Sequence, residues 1–345
     1  MDKFYIREAI RLAKKGVGRT SPNPAVGAVI TRNGRVVGKG WHKKAGSPHA
    51  EIEALSCAGR LAKNATLYVN LEPCSHYGRT PPCTETIIKA GIRRVVCSIL
   101  DPNPKVSGAE TLRKEGIVVD VGLLAKEATE LNEPYLKYIT TKRPYLLLKI
   151  SASLDGRITS QEERWISCEK SRRLVHKMRA EMDAVLVGKG TVVKDDPELT
   201  VRLVKGKNPA CIVLGSDIPS DLKLFRADRR VIIATTKEES LNKGEVLVTK
   251  AKDGLVDLDD LMAKLGGMGI TSILVEGGRR VITSFLKEKL VDRVCLFISP
   301  KIIGENGLTM TEQLPFSINL SETKAKRIGE DIMVSGKLYA ENKLR

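Results

Sequence analysis

The sequence predicts an α/β protein of two domains, and three observations carry that expectation. Short apolar runs of strand length alternate with amphipathic runs of helical period along most of the 345 residues. The alternation restarts at Lys142-Arg143-Pro144, which divides the chain into 1–143 and 144–345, each within the soft range of about 100–200 residues for a domain. Between His49 and Cys83, one imidazole, one carboxylate and two thiols gather near the expected ends of helices.

Residues 2–16 carry Phe4, Ile6, Ala9, Ile10 and Ala13 at helical spacing and end at Gly16, a helix stop. Thr20-Ser21-Pro22-Asn23-Pro24 breaks the chain. The runs Ala25 to Ile30 and Val36 to Trp41 then flank Asn33-Gly34, a dipeptide that suits a tight hairpin because both residues tolerate positive φ. Ile52, Ala54, Leu55 and Ala58 return to helical spacing, Thr66 to Leu71 reads as a strand, and a helix is expected to begin near Cys83. A strand at Val95 to Leu100, a helix near Ala109 to Glu115, a short strand at Ile117 to Val121 and a helix from Leu124 to about Tyr138 complete this half.

His49-Ala50-Glu51, Pro73-Cys74 and Cys83 supply three ligands, His49, Cys74 and Cys83, for a tetrahedral zinc whose fourth position stays open to water. That open position separates catalytic from structural zinc. Glu51 is better placed as an acid/base beside the activated water than as a ligand. The order H-x-E followed by P-C matches zinc deaminases, in which a glutamate moves protons while the metal activates water. The spacing departs from P-C-x-x-C, because Ser75 to Pro82 separate the two thiols. Taken singly, these residues read as a helix-cap histidine and two small buried hydrophobes. Their joint order and spacing argue for a metal site.

Four blocks carry a family resemblance: Thr20-Ser21-Pro22-Asn23-Pro24-Ala25-Val26-Gly27, Pro48-His49-Ala50-Glu51, the stretch from Glu72-Pro73-Cys74 to Thr80-Pro81-Pro82-Cys83, and Asp101-Pro102-Asn103-Pro104. This half resembles the cytidine-deaminase-like fold, and within it the deaminase half of the bifunctional riboflavin-biosynthesis deaminase/reductase family. The insertion before Cys83 is characteristic of that branch. The resemblance implies hydrolytic deamination of diaminohydroxyphosphoribosylaminopyrimidine. His42 and His176 read as surface or structural residues, and His76, inside the insertion, is equally placed to face substrate or solvent.

In the second half, Tyr145 to Ile150 is a continuous apolar strand and Ser151 to Arg157 reads as a turn. A helix is expected over Glu169 to Met182, and strands at Ala184 to Val187, Cys211 to Leu214, Val231 to Ala234, Ser272 to Val275 and Arg293 to Ile298. Gly188-Lys189-Gly190-Thr191 matches neither a Walker loop nor a dinucleotide fingerprint. Gly277-Gly278, between a strand and the Val281 to Leu286 helix, makes either an anion site at a helix N-terminus or an ordinary tight turn.

Ser151 to Arg157, Thr191 to Arg202 and Glu276-Gly277-Gly278 resemble the reductase half of the same family, which has a dihydrofolate-reductase-like fold. The resemblance implies NADPH contacts at Ser151, Trp165, Thr191, Asp195, Ser216 and along Gly278, Arg279, Arg280, Val281, Ile282, Thr283 and Ser284. Substrate contacts fall on Arg179, Leu199, Arg202 and Glu276. Arginines suit a ribose phosphate because the planar guanidinium donates to two oxygens at once. Arg279-Arg280 either meets an NADPH phosphate or is a solvated pair. Where the family often has a serine two residues before the tryptophan, this chain has Glu163, to which no side-chain role is carried over.

The formal charge is +17, with +11 on residues 1–143 (24 basic, 13 acidic) and +6 on the rest (34 basic, 28 acidic). A nucleic-acid deaminase would use such a charge, but also aromatic platforms for stacking, and aromatics make up 4% of the chain. A closed zinc-stabilised binding protein would need a fourth ligand, and only His76 is near. The family resemblance implies a phosphorylated pyrimidine as the partner, without nucleic acid or membrane, and a homo-oligomer is left open. The seven cysteines, an odd number over a long chain, are expected to be reduced. No apolar run approaches the ~18 residues of a membrane span, and the N-terminus resembles no leader, so a soluble cytoplasmic enzyme is expected.

Overall fold

The computed structural model describes residues 1–77, 81–238, 240 and 242–338. Gly78, Arg79 and Thr80 of the insertion, and the end of the second expected domain from Tyr339 onward, lie outside the described residues. The chain folds as two compact units, Met1–Lys142 and Arg143–Arg345.

In the first unit, helix α1 (Asp2–Ala13) leads to hairpin strands β1 (Gly27–Arg32) and β2 (Arg35–Trp41), then α2 (Ala50–Ala58), β3 (Thr66–Val69), α3 (Cys83–Lys89), β4 (Arg94–Cys97), α4 (Gly108–Lys114), β5 (Val118–Val121) and α5 (Ala125–Thr141). The sheet order is β2-β1-β3-β4-β5, antiparallel through β3 and parallel from β3 to β5. Side chains alternate across a strand. Ala28, Ile30, Leu67, Val69, Val95 and Cys97 accordingly pack with α2 and α3 residues on one face, while Val29, Tyr68 and Val96 pack with Ile6, Ala9 and Ile10 of α1 on the other.

Helix α2 lies directly against β2. A Cβ on Gly38 would stand 2.3 Å from the carbonyl of Ala54, and one on Gly40 2.3 Å from that of Ala50. Only glycine permits this approach, and it fixes the helix start that carries His49 and Glu51.

In the second unit the order is β6 (Tyr145–Ser153), α6 (Glu169–Glu181), β7 (Ala184–Gly188), α7 (Lys189–Asp195), β8 (Ala210–Leu214), β9 (Val231–Thr235), β10 (Glu245–Val248), β11 (Ala251–Lys252), β12 (Leu255–Val256), α8 (Leu258–Gly267), β13 (Ser272–Val275), α9 (Arg279–Lys287), β14 (Arg293–Ser299), β15 (Ser321–Ile328) and β16 (Asp331–Lys337). Among the described residues, nine strands form one sheet, β10-β9-β8-β7-β13-β6-β14-β16-β15, parallel from β10 to β14 and closed by an antiparallel hairpin. Leu146, Leu148, Leu186, Ile212 and Ile273 meet Leu261 and Leu265 of α8 and Phe285 of α9 on one face; Tyr145, Leu147, Leu274 and Phe297 meet Val175 of α6 on the other. Buried on both faces, these strands read as continuous apolar runs.

The expected turn from Ser151 is corrected: β6 continues to Ser153, because Ser151 and Ser153 pair with Phe297 and Ser299 of β14. Helix α1 ends at Ala13, and β4 stops at Cys97 instead of reaching Leu100. Among the described residues, no helix is long and apolar enough to cross a membrane.

Candidate active sites

Three loops of the first unit converge. His49 is the N-cap of α2, Cys74 follows β3 and Cys83 opens α3. The Nδ1 of His49 lies 3.2 Å from the Sγ of Cys83 and 3.5 Å from the Sγ of Cys74, and all three donor atoms lie within 4.8 Å of one another. Ligands bonded to one tetrahedral zinc at about 2.0–2.3 Å stand roughly 3.5 Å apart, so this donor set fits zinc. The backbone N–H of Cys83 also donates to the Sγ of Cys74 at 3.3 Å. Hydrogen bonding between the two sulfurs holds Cys74 well below the usual thiol range and Cys83 well above it.

Glu51, in the first turn of α2, is 3% exposed. Burial, reinforced by the charge of Cys74, pushes its carboxyl up to about 7. A buried carboxyl beside this donor set is placed to pass protons as a general acid/base does.

Sequence reasoning assigned no role to Glu72, which holds this loop. Its carboxylate accepts from the backbone N–H of Ala109 at 2.7 Å and of Asp101 at 3.0 Å, which ties the residue before Pro73 to the start of α4. A Cβ on Gly108 would stand 1.8 Å from the carbonyl of Pro73, so the two segments are in direct backbone contact. His42 is buried, with Nδ1 3.1 Å from the carbonyl of Pro48 and its ring edge-on to His49 at 5.4 Å. It belongs to the structural alternative, not the surface one. The Nδ1 of His76 is buried without a partner among the described residues.

In the second unit, Ser151, Thr191, Ser216 and Gly278 all lie within three residues of the C-terminal ends of β6, β7, β8 and β13. Open parallel sheets bind ligands along that edge. Gly278 is the N-cap of α9, and a Cβ there would stand 3.5 Å from the Oγ1 of Thr191, so these two positions are brought together. The Oγ of Ser151 is buried with no partner among the described residues, a polar atom left for a ligand. These features fit a dinucleotide laid across the strand ends.

The other positions are less uniform. Ile282 and Thr283 turn into the core, where Thr283 Oγ1 donates to the carbonyl of Arg279 and accepts from the N–H of Glu312. Val281 fills the space left by Gly188 and Gly277, and Ser284 is partly buried one turn further on. Arg279 and Arg280 lie 3.9 and 3.7 Å from the carboxylate of Glu312. Asp195 is exposed at the end of α7. Trp165 is half exposed, with the guanidiniums of Arg164 and Arg172 each 5.2 Å from its ring, beside a cavity of about 380 Å³ lined also by Ser160, Ile166 and Lys301. Glu163 pairs with Lys301.

Arg179 and Glu276 form a bidentate ion pair, and Arg179 also donates to the carbonyl of Thr200. The Nζ of Lys149 lies 3.9 Å from the same carboxylate. Burial pulls the Lys149 ammonium down from its ordinary value. Sequence reasoning passed over Lys149, yet a lysine inside the apolar strand Tyr145 to Ile150 was the available signal. Leu199 takes φ +53° with its side chain buried, and Arg202, exposed, pairs with Glu198 at 2.6 Å.

Two family models match the chain: the cytidine and deoxycytidylate deaminase zinc-binding region over residues 1–99 and the RibD C-terminal domain over residues 144–334. The chain is 46% identical to the riboflavin biosynthesis protein RibD of Aquifex aeolicus over 98% of this chain and 99% of the relative, and 39% identical to that of Escherichia coli over 96% and 98%. Among solved structures it is similar to a diaminohydroxyphosphoribosylaminopyrimidine deaminase/5-amino-6-(5-phosphoribosylamino)uracil reductase from Thermotoga maritima, with TM-score 0.88 at 37% identity and 98% of each chain covered. It matches RibD of Acinetobacter baumannii with TM-score 0.88 at 33% identity and the same coverage. An α/β chain with a deaminase-like first half and a reductase-like second half, similar over nearly its whole length to these proteins, belongs to the RibD family of riboflavin biosynthesis proteins.

Proposed function

We propose that the chain performs two steps of riboflavin biosynthesis: hydrolytic deamination of diaminohydroxyphosphoribosylaminopyrimidine in the first unit, then NADPH-dependent reduction of the ribosyl group to ribityl in the second. The observation that carries this reading is the convergence of His49, Cys74 and Cys83 beside the buried Glu51. Zinc, when bound there, supplies a Lewis acid that makes water a nucleophile near neutral pH. The Glu51 carboxylate takes the proton of the attacking water and returns it to the departing amine, so that water is consumed and ammonia leaves. His42 and Glu72 keep the ligand loops in place, through Pro48 on one side and the start of α4 on the other.

In the second unit, NADPH, when bound, supplies the hydride. Ser151, Thr191 and the N-terminus of α9 hold it along the strand ends, with Trp165, Asp195, Ser216 and Arg279 as further contacts. Three of Arg179's five N–H donors are engaged by Glu276 and Thr200, which leaves two for substrate. Arg202 binds the phosphate, and Leu199 and Glu276 are further substrate contacts. The reading describes a cytoplasmic enzyme of small molecules, without nucleic-acid or membrane partners.

Cys83→Ser tests the metal assignment. The variant should lose zinc and ammonia release together, while reduction of the deaminated intermediate continues. Full zinc content and full deamination in that variant would remove Cys83 from the site.

A further inference from the structure

From Glu198 to Leu203 the chain has no regular secondary structure, yet side chains from elsewhere hold most of its backbone. Arg229 donates to the carbonyls of Glu198 and Leu199, and Arg179 to that of Thr200. Asn208 Oδ1 accepts from the N–H of Val201 at 2.8 Å. The Nδ1 of His176 accepts from the N–H of Arg202 at 2.9 Å, and at 3.5 Å from that of Leu203. The positive φ of Leu199 is a conformation that a side-chain-bearing residue keeps only where its surroundings impose it.

His176 lies on α6, 6% exposed and three residues before Arg179, so one helix face offers both side chains to this segment. Burial, with the charges of Arg179 and Arg202 nearby, holds its imidazole down to about 4. Its Nδ1 lone pair therefore remains an acceptor at neutral pH.

We propose that His176 is a positioning residue for the reductase: by fixing the backbone N–H of Arg202, it sets the direction in which the Arg202 guanidinium meets the substrate phosphate. The inference rests on the reading of Arg202 as the phosphate contact. A histidine that merely filled space would be replaced by any residue of similar bulk. One that acts through Nδ1 is replaced by asparagine, whose Oδ1 reaches nearly the same point.

Steady-state reduction of 5-amino-6-(5-phosphoribosylamino)uracil by the full chain, with NADPH varied separately, tests this. His176→Phe should raise the KM for that substrate about tenfold, the order of one lost hydrogen bond, with NADPH KM and deamination within twofold of the parent. His176→Asn should restore it to within about threefold of the parent, since a good acceptor is again present. In an Arg202→Ala background, His176→Phe should add little, because coupled residues are not additive. If the Phe variant does not fold, His176→Leu takes its place in the same comparison. An unchanged KM in the Phe variant, or an Asn variant as poor as the Phe variant, overturns the role of Nδ1 while Arg202→Ala still raises KM. An unchanged KM in Arg202→Ala overturns the phosphate reading itself, and the inference with it.

Discussion

The guanidinium of Arg179 and the carboxylate of Glu276 face each other through parallel hydrogen bonds of 2.6 and 2.9 Å, their side chains only 11% and 7% exposed. Helix α6 is thereby fastened to the end of β13, beside the proposed NADPH edge. Removing Arg179 leaves the buried carboxylate with only the longer Lys149 contact at 3.9 Å, and breaking a buried pair costs about 3–5 kcal/mol. Arg179→Met should therefore destabilise the second unit by that order in denaturant unfolding and leave the zinc content of the first unchanged. A loss below about 1 kcal/mol would mean that the pair behaves as an exposed one.

The same pair gives a pH dependence. Burial, the largest influence, pushes the Glu276 carboxyl up, but Arg179 and Lys149 together outweigh it and hold it below its ordinary value of 4.5. A carboxyl lowered on folding contributes stability that is complete above its unfolded value and is lost as pH falls through the folded one. Stability of the second unit should thus decline as pH drops below 4.5, and less steeply in Glu276→Gln. Equal slopes in the two proteins would place the acid sensitivity elsewhere.

Glu51→Gln keeps the shape of the side chain and removes its ability to carry a proton. Zinc content should be unchanged and deamination should fall by about 10²–10⁴, the usual contribution of general acid/base catalysis. A loss below tenfold would reduce Glu51 to an orienting role.

Gly108 touches the carbonyl of Pro73 so closely that any Cβ must displace it, and Cys74 is the next residue. Gly108→Ala should weaken zinc retention and deamination without affecting reduction of the deaminated intermediate. Retained zinc affinity would show that the loop adjusts without moving Cys74.

The first unit was largely legible in the sequence. The β1–β2 hairpin announces itself by Asn33-Gly34, and the convergence of His49, Cys74 and Cys83 by their order and spacing, because both depend on residue chemistry within short reach. What escaped depends on long-range partners. Glu72 bonds to backbone groups 29 and 37 positions away, and nothing local marks it. Helix α7 buries only Val192, so it has no apolar stripe to read. Strand β15 is exposed along both faces and takes its conformation from pairing with β16, so it lacks alternation. His176 looked like a surface or structural histidine because its partner, the Arg202 N–H, lies 26 residues on.

The central claim is that one chain takes one substrate through both steps. Purified full-length protein should be supplied with diaminohydroxyphosphoribosylaminopyrimidine and NADPH, and ammonia release and NADPH oxidation followed in the same sample. The account predicts that ammonia appears first, that NADPH oxidation follows after a lag, and that the two reach equal amounts. NADPH oxidation without ammonia, or complete deamination with no NADPH consumed, would contradict it.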